Sequence, residues 1–305
     1  MKKFNVCLTK TVKKCDKCTK LTAAFQNNME WHLQDKILNI AFLKKPFLYN
    51  GSYIDPEFTL HKANWFKKII EDNFITPKLI NFSIKWDTST EESDIRVSFV
   101  NSAGAWAIVG VGAKNTPKNE STMNIGWLDD DTDYDFPSAK NTGIVIIHEF
   151  GHLLGLLHEH SRPDVYHDTT NPTNWKPLNW NTQYIYDSLG GPPNNWSKED
   201  CDTQIIIPFE INSFNGSVYD PLSCMHYYFQ PEFFNDPKPK LTHITKLSIL
   251  DIKTIKNKYP QGKKIPESIG TIVNINHIQK NPFLTILIII GISMLLFIII
   301  KYTLF

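Results

Sequence analysis

The sequence predicts one folded domain of the α+β class at residues 29–262, followed by a polar stalk and a membrane-spanning helix. Three observations predict this organisation. Strand-like and helix-like runs alternate in the first half of the chain, one helix-like run carries closely spaced histidines, and an uncharged apolar run lies near the C-terminus. A chain of 305 residues is long enough for one substantial domain with accessory segments.

Four apolar or alternating runs predict strands, and two longer runs predict helices. The strands are expected at Ile37–Leu43, Ile80–Trp86, Asp94–Val100 and Thr122–Trp127, and the helices at Phe58–Phe74 and Asn141–Leu154. The order strand, helix, three strands, helix is an alternating α/β pattern. The stretch from Pro163 to Asn195 is rich in Pro, Asn and Asp and is expected to be a long irregular loop. The folded part should end near Tyr259–Pro260.

The composition argues against nucleic acid as a partner. Lys and Arg number 32 against 31 Asp and Glu, for a net charge of +1, so no overall field attracts phosphates. Residues 1–28 form a basic N-terminal arm without the apolar run of an export signal. Five cysteines, three of them in this arm, do not make a disulfide framework, which agrees with a reducing compartment.

The run Phe283–Ile300 predicts a transmembrane helix that contacts membrane lipid. It is uncharged, lacks the polar stripe of a core helix, and spans roughly 27 Å at 1.5 Å per residue. Residues 263–282 are polar and predict a stalk. We therefore expect a single-pass C-terminal anchor with the folded domain on its N-terminal side, in the cytosol or on a virion or internal membrane. Lysines 280 and 301 flank both ends, so the positive-inside rule selects no orientation.

The second predicted helix carries a metal-binding pattern. His148, Glu149, His152, Gly155 and His158 complete the pattern H-E-x-x-H-x-x-G-x-x-H without a mismatch. Histidines four residues apart lie on one helical face and can bind a single ion. A third ligand requires the chain to turn, and glycine tolerates the left-handed conformation of such a turn. The pattern predicts that the three histidines bind one Zn²⁺.

This donor set predicts hydrolysis. Three neutral imidazoles leave a coordination position for water, whose pKa the ion lowers, and Glu149 is placed to take the proton of that water as a general base. A bare H-E-x-x-H occurs by chance on surface helices, but the eleven-residue form is far more specific.

A second element, Ser223-Cys224-Met225-His226-Tyr227, looks like the Met-turn of the metzincin peptidases. With the histidine pattern, it gives residues 31 to about 260 a resemblance to metzincins, most closely to astacin-like peptidases and their microbial relatives. The resemblance implies a zincin fold: a twisted mixed sheet with the active-site helix above a cleft, and a smaller irregular C-terminal subdomain. It also implies that Met225 packs beneath the histidines and that Tyr227 assists catalysis, although a packed aromatic residue is an equally good interpretation.

The resemblance further implies a protein or peptide substrate that lies extended in the cleft. Thr122–Trp127, which includes Asn124 and Gly126, stands where these peptidases have the edge strand that pairs with substrate. An extended peptide can add to such an edge through backbone hydrogen bonds.

Some residues depart from the family pattern and leave activation open. Glu159 and Arg162 match astacin-like positions after the third histidine, but Pro163-Asp164-Val165 lacks the further charged residues usual there. Cys15 and Cys18 in the arm could bind the zinc as a latency thiolate, bind a second metal or do nothing. We expect reduced cysteines in a mobile, solvated arm, since a single C-x-x-C is a weak signal.

Three functions fit the sequence. The first is a membrane-anchored zinc metalloendopeptidase, with an exopeptidase as a variant. The second is a catalytically silent membrane protein that keeps a structural zinc site for partner binding, and the third is a zinc-independent scaffold with a chance motif. Glu149 favours the first, because a structural site does not use a general base beside an open metal position.

Overall fold

The computed structural model describes most of the folded domain and parts of the N-terminal arm. The described residues are 8–10, 21–22, 25–26, 28–33, 35–126, 128, 137–162, 165–167, 175–176, 178–191, 195–208, 214–215, 219–236 and 241–261. The chain divides into two compact units, Met1–Gln261 and Gly262–Phe305. The predicted stalk and the predicted span Phe283–Ile300 lie outside the described residues. Among the helices that are described, none combines the length and the apolar character needed to cross a bilayer.

The fold is a mixed α+β fold built on a twisted, mostly parallel sheet. Its described strands are β1 (Leu8–Lys10), β2 (Leu21–Thr22), β3 (Phe25–Gln26), β4 (Ile37–Phe42), β5 (Phe47–Tyr49), β6 (Ser52–Ile54), β7 (Ser83–Lys85), β8 (Ile95–Ser98), β9 (Ala105–Ile108), β10 (Met123–Ile125), β11 (Tyr166–His167), β12 (Trp175–Lys176) and β13 (Phe214–Asn215). The main sheet has the order β1-β9-β10-β8-β4-β7. Strands β7, β4, β8 and β10 are parallel, β9 is antiparallel to β10, and β1 is parallel to β9.

The central strands are covered on both faces. Every residue of β8, β9 and β10 is buried, and five of the six residues of β4 are buried or half-buried. Strands covered in this way do not show the alternation of buried and exposed residues that marks a half-buried strand. All four predicted strands are present, each shorter than predicted, whereas β9 was not predicted because its four residues show no alternation.

The predicted edge strand at Thr122–Trp127 lies inside the sheet, so this expectation is wrong. β10 pairs with β8 on one side and with β9 on the other, where Asn124 stands opposite Trp106. The N–H of Gly126 donates to the carbonyl of Gly104, 2.9 Å away. The physical reason is β9, which adds to the side of β10 that was expected to be open.

Asn124 has a structural role in this position. Its side-chain oxygen accepts hydrogen bonds from the Val100 N–H at 2.9 Å and the Ser98 hydroxyl at 2.8 Å, and its amide nitrogen donates to the Val100 carbonyl at 2.9 Å. The side chain therefore closes the turn between β8 and β9 from within the core. It does not face an open substrate edge.

The N-terminal arm contributes three short strands, which differs from the expected solvated arm. β1 lies on the outer side of β9, with Leu8 opposite Trp106 and Lys10 opposite Ile108. β2 pairs with β3 and with β13. The Gln26 N–H donates to the Gly155 carbonyl at 2.9 Å. The arm is therefore attached to the domain at several points; Cys15 and Cys18 are outside the described residues.

Two helices pack with the sheet around the first core. Helix α1 (Leu60–Ile70) begins at the N-cap Thr59, whose hydroxyl accepts the Lys62 N–H, and a π-helical turn extends it over Glu71–Ile75. Helix α2 (Pro137–Leu153) packs against α1, β9 and β10. The Phe74 and Phe150 rings meet at 4.7 Å between the helices. Both helices were predicted within a few residues.

A second, smaller core lies in the C-terminal half, where a long loop was predicted. Helix α3 (Thr182–Leu189) and the short helix α4 (Lys198–Cys201) contribute residues to it. Its buried members are Val165, Leu178, Trp180, Ile185, Leu189, Trp196, Cys201, Ile205, Phe229, Phe233 and Phe234. Abundant Pro, Asn and Asp concealed α3, whose buried face consists of only two residues, Ile185 and Leu189.

The last described helix returns the chain to the first core. Helix α5 (Ile249–Lys258) begins with a capping box between Ser248 and Asp251. Tyr259 follows it, 1% exposed, and its hydroxyl donates to the Leu154 carbonyl just beyond the end of α2. Helix α5 is therefore fixed against the segment that carries the histidine pattern.

Candidate metal centre

Three histidine side chains meet in the interior of the domain. His148 and His152 lie one turn apart on α2, so their imidazoles extend from one face of the helix. His158 comes from the segment that follows. One ring nitrogen from each lies within 4.8 Å of the others. At most 5% of each residue is exposed, so the cluster is a buried site.

A sharp turn after α2 brings His158 back to the other two. Gly155 has φ +103°, in the left-handed region that side chains disfavour. Its N–H donates to the His152 carbonyl at 2.8 Å, and the Leu156 N–H donates to the Gly151 carbonyl at 2.9 Å. The predicted role of Gly155 as the turning residue agrees with this geometry.

Hydrogen bonds determine which nitrogen of each α2 histidine is available to a metal. The Nδ1 atom of His148 is 2.7 Å from the Cys224 carbonyl, and the Nδ1 atom of His152 is 2.8 Å from the Leu156 carbonyl. A carbonyl only accepts hydrogen bonds, so both Nδ1 atoms carry the proton and both Nε2 atoms keep their lone pairs. Among the described atoms, the buried Nε2 of His148 has no hydrogen-bond partner.

Burial keeps these imidazoles neutral. Desolvation lowers the pKa of His148 to about 4, against a smaller opposing effect of its hydrogen bond to Cys224. Burial also places the pKa of His152 and of His158 well below 6.5, and the neighbouring histidines lower both further. At neutral pH the three rings are therefore in the form that binds a metal ion.

The donor set fits zinc. Two imidazole nitrogens at 2.0–2.1 Å from one tetrahedral ion are about 3.3 Å apart, and the Nε2 atoms of His152 and His158 are 3.1 Å apart. Facing lone pairs at this distance repel each other unless a proton or a cation lies between them. The predicted cofactor, one Zn²⁺ held by His148, His152 and His158, is confirmed as a three-histidine site of suitable geometry.

Glu149 lies beside the cluster on α2, one residue after His148, and is fully buried. A buried carboxylate adjacent to a metal ligand on the same helix agrees with its predicted role as a base. That role remains a prediction.

Met225 packs against α2 at Gly151, the residue before the ligand His152. It is fully buried, and a β-carbon on Gly151 would lie only 2.6 Å from its sulfur, so the two residues fit because position 151 has no side chain. The Met225 carbonyl accepts the Glu159 N–H at 3.0 Å. The Met-turn is thus hydrogen-bonded to the residue that follows the third ligand, His158.

Tyr227 lies on the same side as the histidines. Its half-buried ring is 4.5 Å from the ring of His158 and 5.4 Å from that of His148, between centroids. His160 packs against it at 4.5 Å. His160 is buried, and its Nε2 is 3.1 Å from the Gln204 carbonyl. His160 was not predicted as a site residue, because it lies outside the spacing of the histidine pattern.

A buried polar network begins at Glu159, the residue that follows the third ligand. Glu159 accepts hydrogen bonds from the Arg162 guanidinium at 3.1 Å and from the Asp220 N–H at 2.9 Å. Asp220 in turn accepts the hydroxyl of Ser248, the N-cap of α5. Burial raises the pKa of Glu159 to about 8, although Arg162 favours its ionised form. Asp220, Ser248 and Asp251 were not predicted as site residues. The Ser-x-x-Asp spacing of Ser248 and Asp251 is a helix-capping pattern, and it indicates no metal site.

The comparisons with known proteins find similar solved structures. No family model matches the sequence, and no curated protein matches it. A structure of myroilysin aligns with a TM-score of 0.59 and 26% identity over 77% of this chain and 98% of that one. A second myroilysin structure aligns at 0.51 and 24%, over 83% and 90%. High choriolytic enzyme 1, a hatching enzyme zinc-protease from Oryzias latipes (medaka fish), aligns at 0.44 and 14%, over 81% and 96%.

The predicted resemblance to astacin-like metzincins is confirmed by the first of these matches together with the three-histidine cluster. The myroilysin match covers nearly the whole of that chain, so the two proteins share the fold of the domain that holds the cluster.

Proposed function

We propose that the chain is a zinc-dependent metalloendopeptidase that hydrolyses peptide bonds of proteins, with Glu149 as its general base. The observation that carries the proposal is the buried cluster of three neutral imidazoles with a carboxylate next to it on α2. When bound, zinc supplies Lewis-acid polarisation of a peptide carbonyl and activation of water. A purely structural site has four protein ligands, whereas the cluster formed by the described part of the chain has three.

Each residue of the site has a distinct task in this proposal. The three histidines hold the ion, and Glu149 accepts a proton from the attacking water and returns it to the leaving amine. Tyr227 donates its hydroxyl hydrogen to the oxygen that becomes negative in the transition state, as its place beside His158 allows. Met225 and Gly151 fix the floor beneath the ligands.

Metal removal tests the proposal. The zinc-loaded chain is expected to cleave an unfolded protein such as reduced casein, to lose all activity to a chelator, and to regain it on addition of about one equivalent of zinc. Metal content is measured by mass spectrometry and cleavage by gel electrophoresis. If the chain holds zinc tightly and cleaves nothing in any state, the catalytically silent alternative with a structural zinc replaces the peptidase.

Substrate binding is proposed for β9 in place of Asn124 and Gly126. β9 is the antiparallel strand beyond β10, and it packs against α2, the helix of the metal site. Its outer side is where an extended peptide can add backbone hydrogen bonds. In the structure β1 of the N-terminal arm pairs there, from Leu8 to Lys10. The arm and a substrate therefore compete for the same backbone groups.

Proline substitution in β1 tests this competition. Thr9→Pro and Lys10→Pro are made separately, because only one of two successive strand residues directs its N–H towards β9. The variant that loses the paired N–H is expected to raise kcat/KM for a protein substrate about fivefold, the effect of roughly 1 kcal/mol from one hydrogen bond. The other variant is the matched control. Equal rates for both variants and for the wild type would contradict competition at β9.

We also propose that Phe283–Ile300 anchors the protein in a membrane through contact with lipid. The supporting observation is the uncharged apolar sequence, long enough for a bilayer core. The full chain is expected to stay with membranes after alkaline carbonate washing, whereas a chain ending at residue 282 is expected in the supernatant. Release of the full chain by the wash would refute the anchor. The side of the membrane follows from protease protection in the same preparation.

A further inference from the structure

One hydrogen-bond chain leads from the metal ligand His148 to a carboxylate on the last helix. The Nδ1–H of His148 donates to the Cys224 carbonyl at 2.7 Å. That carbonyl belongs to the same peptide unit as the Met225 N–H, which donates to the Ser223 hydroxyl at 3.0 Å. The Ser223 hydroxyl donates to the Asp251 carboxylate at 2.6 Å. Every donor in this chain points the same way, from the imidazole towards the negative charge.

Asp251 makes more contacts than a helix cap requires. One oxygen accepts the Ser248 N–H at 2.9 Å, which completes the capping box of α5. The same oxygen also accepts the Cys224 N–H at 2.8 Å, and the other oxygen accepts the Ser223 hydroxyl. Asp251 is 6% exposed. Two of its three partners thus belong to the Met-turn, and capping accounts for only one.

We propose that Asp251 is a positioning residue for the metal ligand His148, acting through Ser223 and the peptide between Cys224 and Met225. Hydrogen bonds aligned in one direction polarise one another, so the carboxylate at the end of the chain draws the Nδ1 proton of His148 towards the Cys224 carbonyl. A metal-binding histidine is made a stronger ligand and is fixed in orientation when its other nitrogen donates to an anionic partner. Here a hydroxyl and a peptide unit connect the carboxylate to the histidine.

The inference rests on the proposed zinc site and is tested through metal affinity. The zinc dissociation constant of the full chain is measured by competition with a chromophoric chelator. Ser223→Ala and Asp251→Asn are each expected to weaken zinc binding by about 10- to 100-fold, the range found when an outer partner of a metal ligand is lost. Ser223→Ala keeps the carboxylate and its contact with the Cys224 N–H, so it tests the connection even if Asp251→Asn folds poorly.

Ser248→Ala is the matched control. It removes the hydroxyl that caps α5 and contacts Asp220 but leaves every bond between Asp251 and His148 intact. It is expected to lower the free energy of unfolding like other lost caps while its zinc dissociation constant stays within about twofold of the wild type. Urea unfolding of metal-free protein gives the stability of each variant.

The outcomes separate the possible failures. If the wild type binds zinc and the Ser223 and Asp251 variants bind it equally well, the positioning role is wrong and the proposed function stands. If zinc affinity falls in all three variants in proportion to their stability, Asp251 acts only on folding and the inference is again overturned. If the wild type binds no zinc, the proposed function itself fails.

Discussion

Replacing Glu149 by glutamine is expected to lower kcat/KM for a protein substrate by about 10²- to 10⁴-fold while about one zinc remains bound per chain. Glutamine keeps the shape of the buried side chain but cannot accept the proton of the attacking water. The three imidazoles are unchanged, so the metal content should match that of the wild type. Steady-state cleavage of a quenched peptide and metal analysis of the same sample measure both quantities.

His152→Ala is the complementary variant, because it removes a ligand and leaves Glu149 in place. We expect this variant to lose both zinc and activity. A Glu149→Gln variant within a factor of three of the wild-type rate would exclude Glu149 as the base. Loss of zinc from the Glu149→Gln variant would show instead that Glu149 supports the metal site itself.

Removing the charge of Arg162 is expected to destabilise the protein by about 3–5 kcal/mol, the usual effect of leaving one member of a buried ion pair alone. Arg162 is fully buried, and its guanidinium lies 3.1 Å from the carboxylate of Glu159, which is 3% exposed. Arg162→Met keeps the length and apolar contacts of the side chain. Urea unfolding of the metal-free protein at pH 7.5 measures the loss.

The double variant Glu159→Gln, Arg162→Met identifies the cause. If the loss arises from an uncompensated carboxylate, the double variant is expected to be more stable than Arg162→Met alone. The pH dependence of stability tests the role of Glu159 separately. Burial raises the pKa of Glu159 to about 8, so the folded protein keeps a proton that the unfolded chain releases above about pH 4.5. The stability of the wild type and of Arg162→Met is therefore expected to fall as the pH rises from 5 to 8, and a double variant with the same slope would contradict this explanation, because it lacks the Glu159 carboxyl.

The helices and the metal ligands were accessible from the sequence because their signals are local. Residues four apart on α2 must share a face, and Gly155 must permit a turn before His158 can return to them. Strand positions were also readable, but their neighbours were not. The position of β10 depends on β9, whose residues Ala105–Ile108 are buried at every position and lack a periodic signal. The error at Asn124 follows from that single omission.

The polar support of the site could not be read from the sequence for a different reason. Asp220, Ser248 and Asp251 are ordinary residues until the chain folds. Folding brings Asp220 next to Glu159, which is 61 positions away. It also brings Ser248 next to Asp220 and Asp251 next to Ser223, each across 28 positions. The Ser-x-x-Asp spacing of Ser248 and Asp251 is typical of the start of a helix. It contained no information about what else the carboxylate of Asp251 contacts.

The three zinc ligands lie where the first hydrophobic core adjoins the second, and this ties the lifetime of the protein to the supply of metal. His148 and His152 extend from the helix of the first core, whereas the ring of His158 contacts the rings of His160 and Tyr227, which adjoin the second. An ion that binds only when both cores are formed stabilises them by RT ln(1 + [Zn]/Kd). Zinc scarcity would thus lower the number of folded molecules as well as their activity, and the abundance of the protein would report the metal status of the compartment in which it resides.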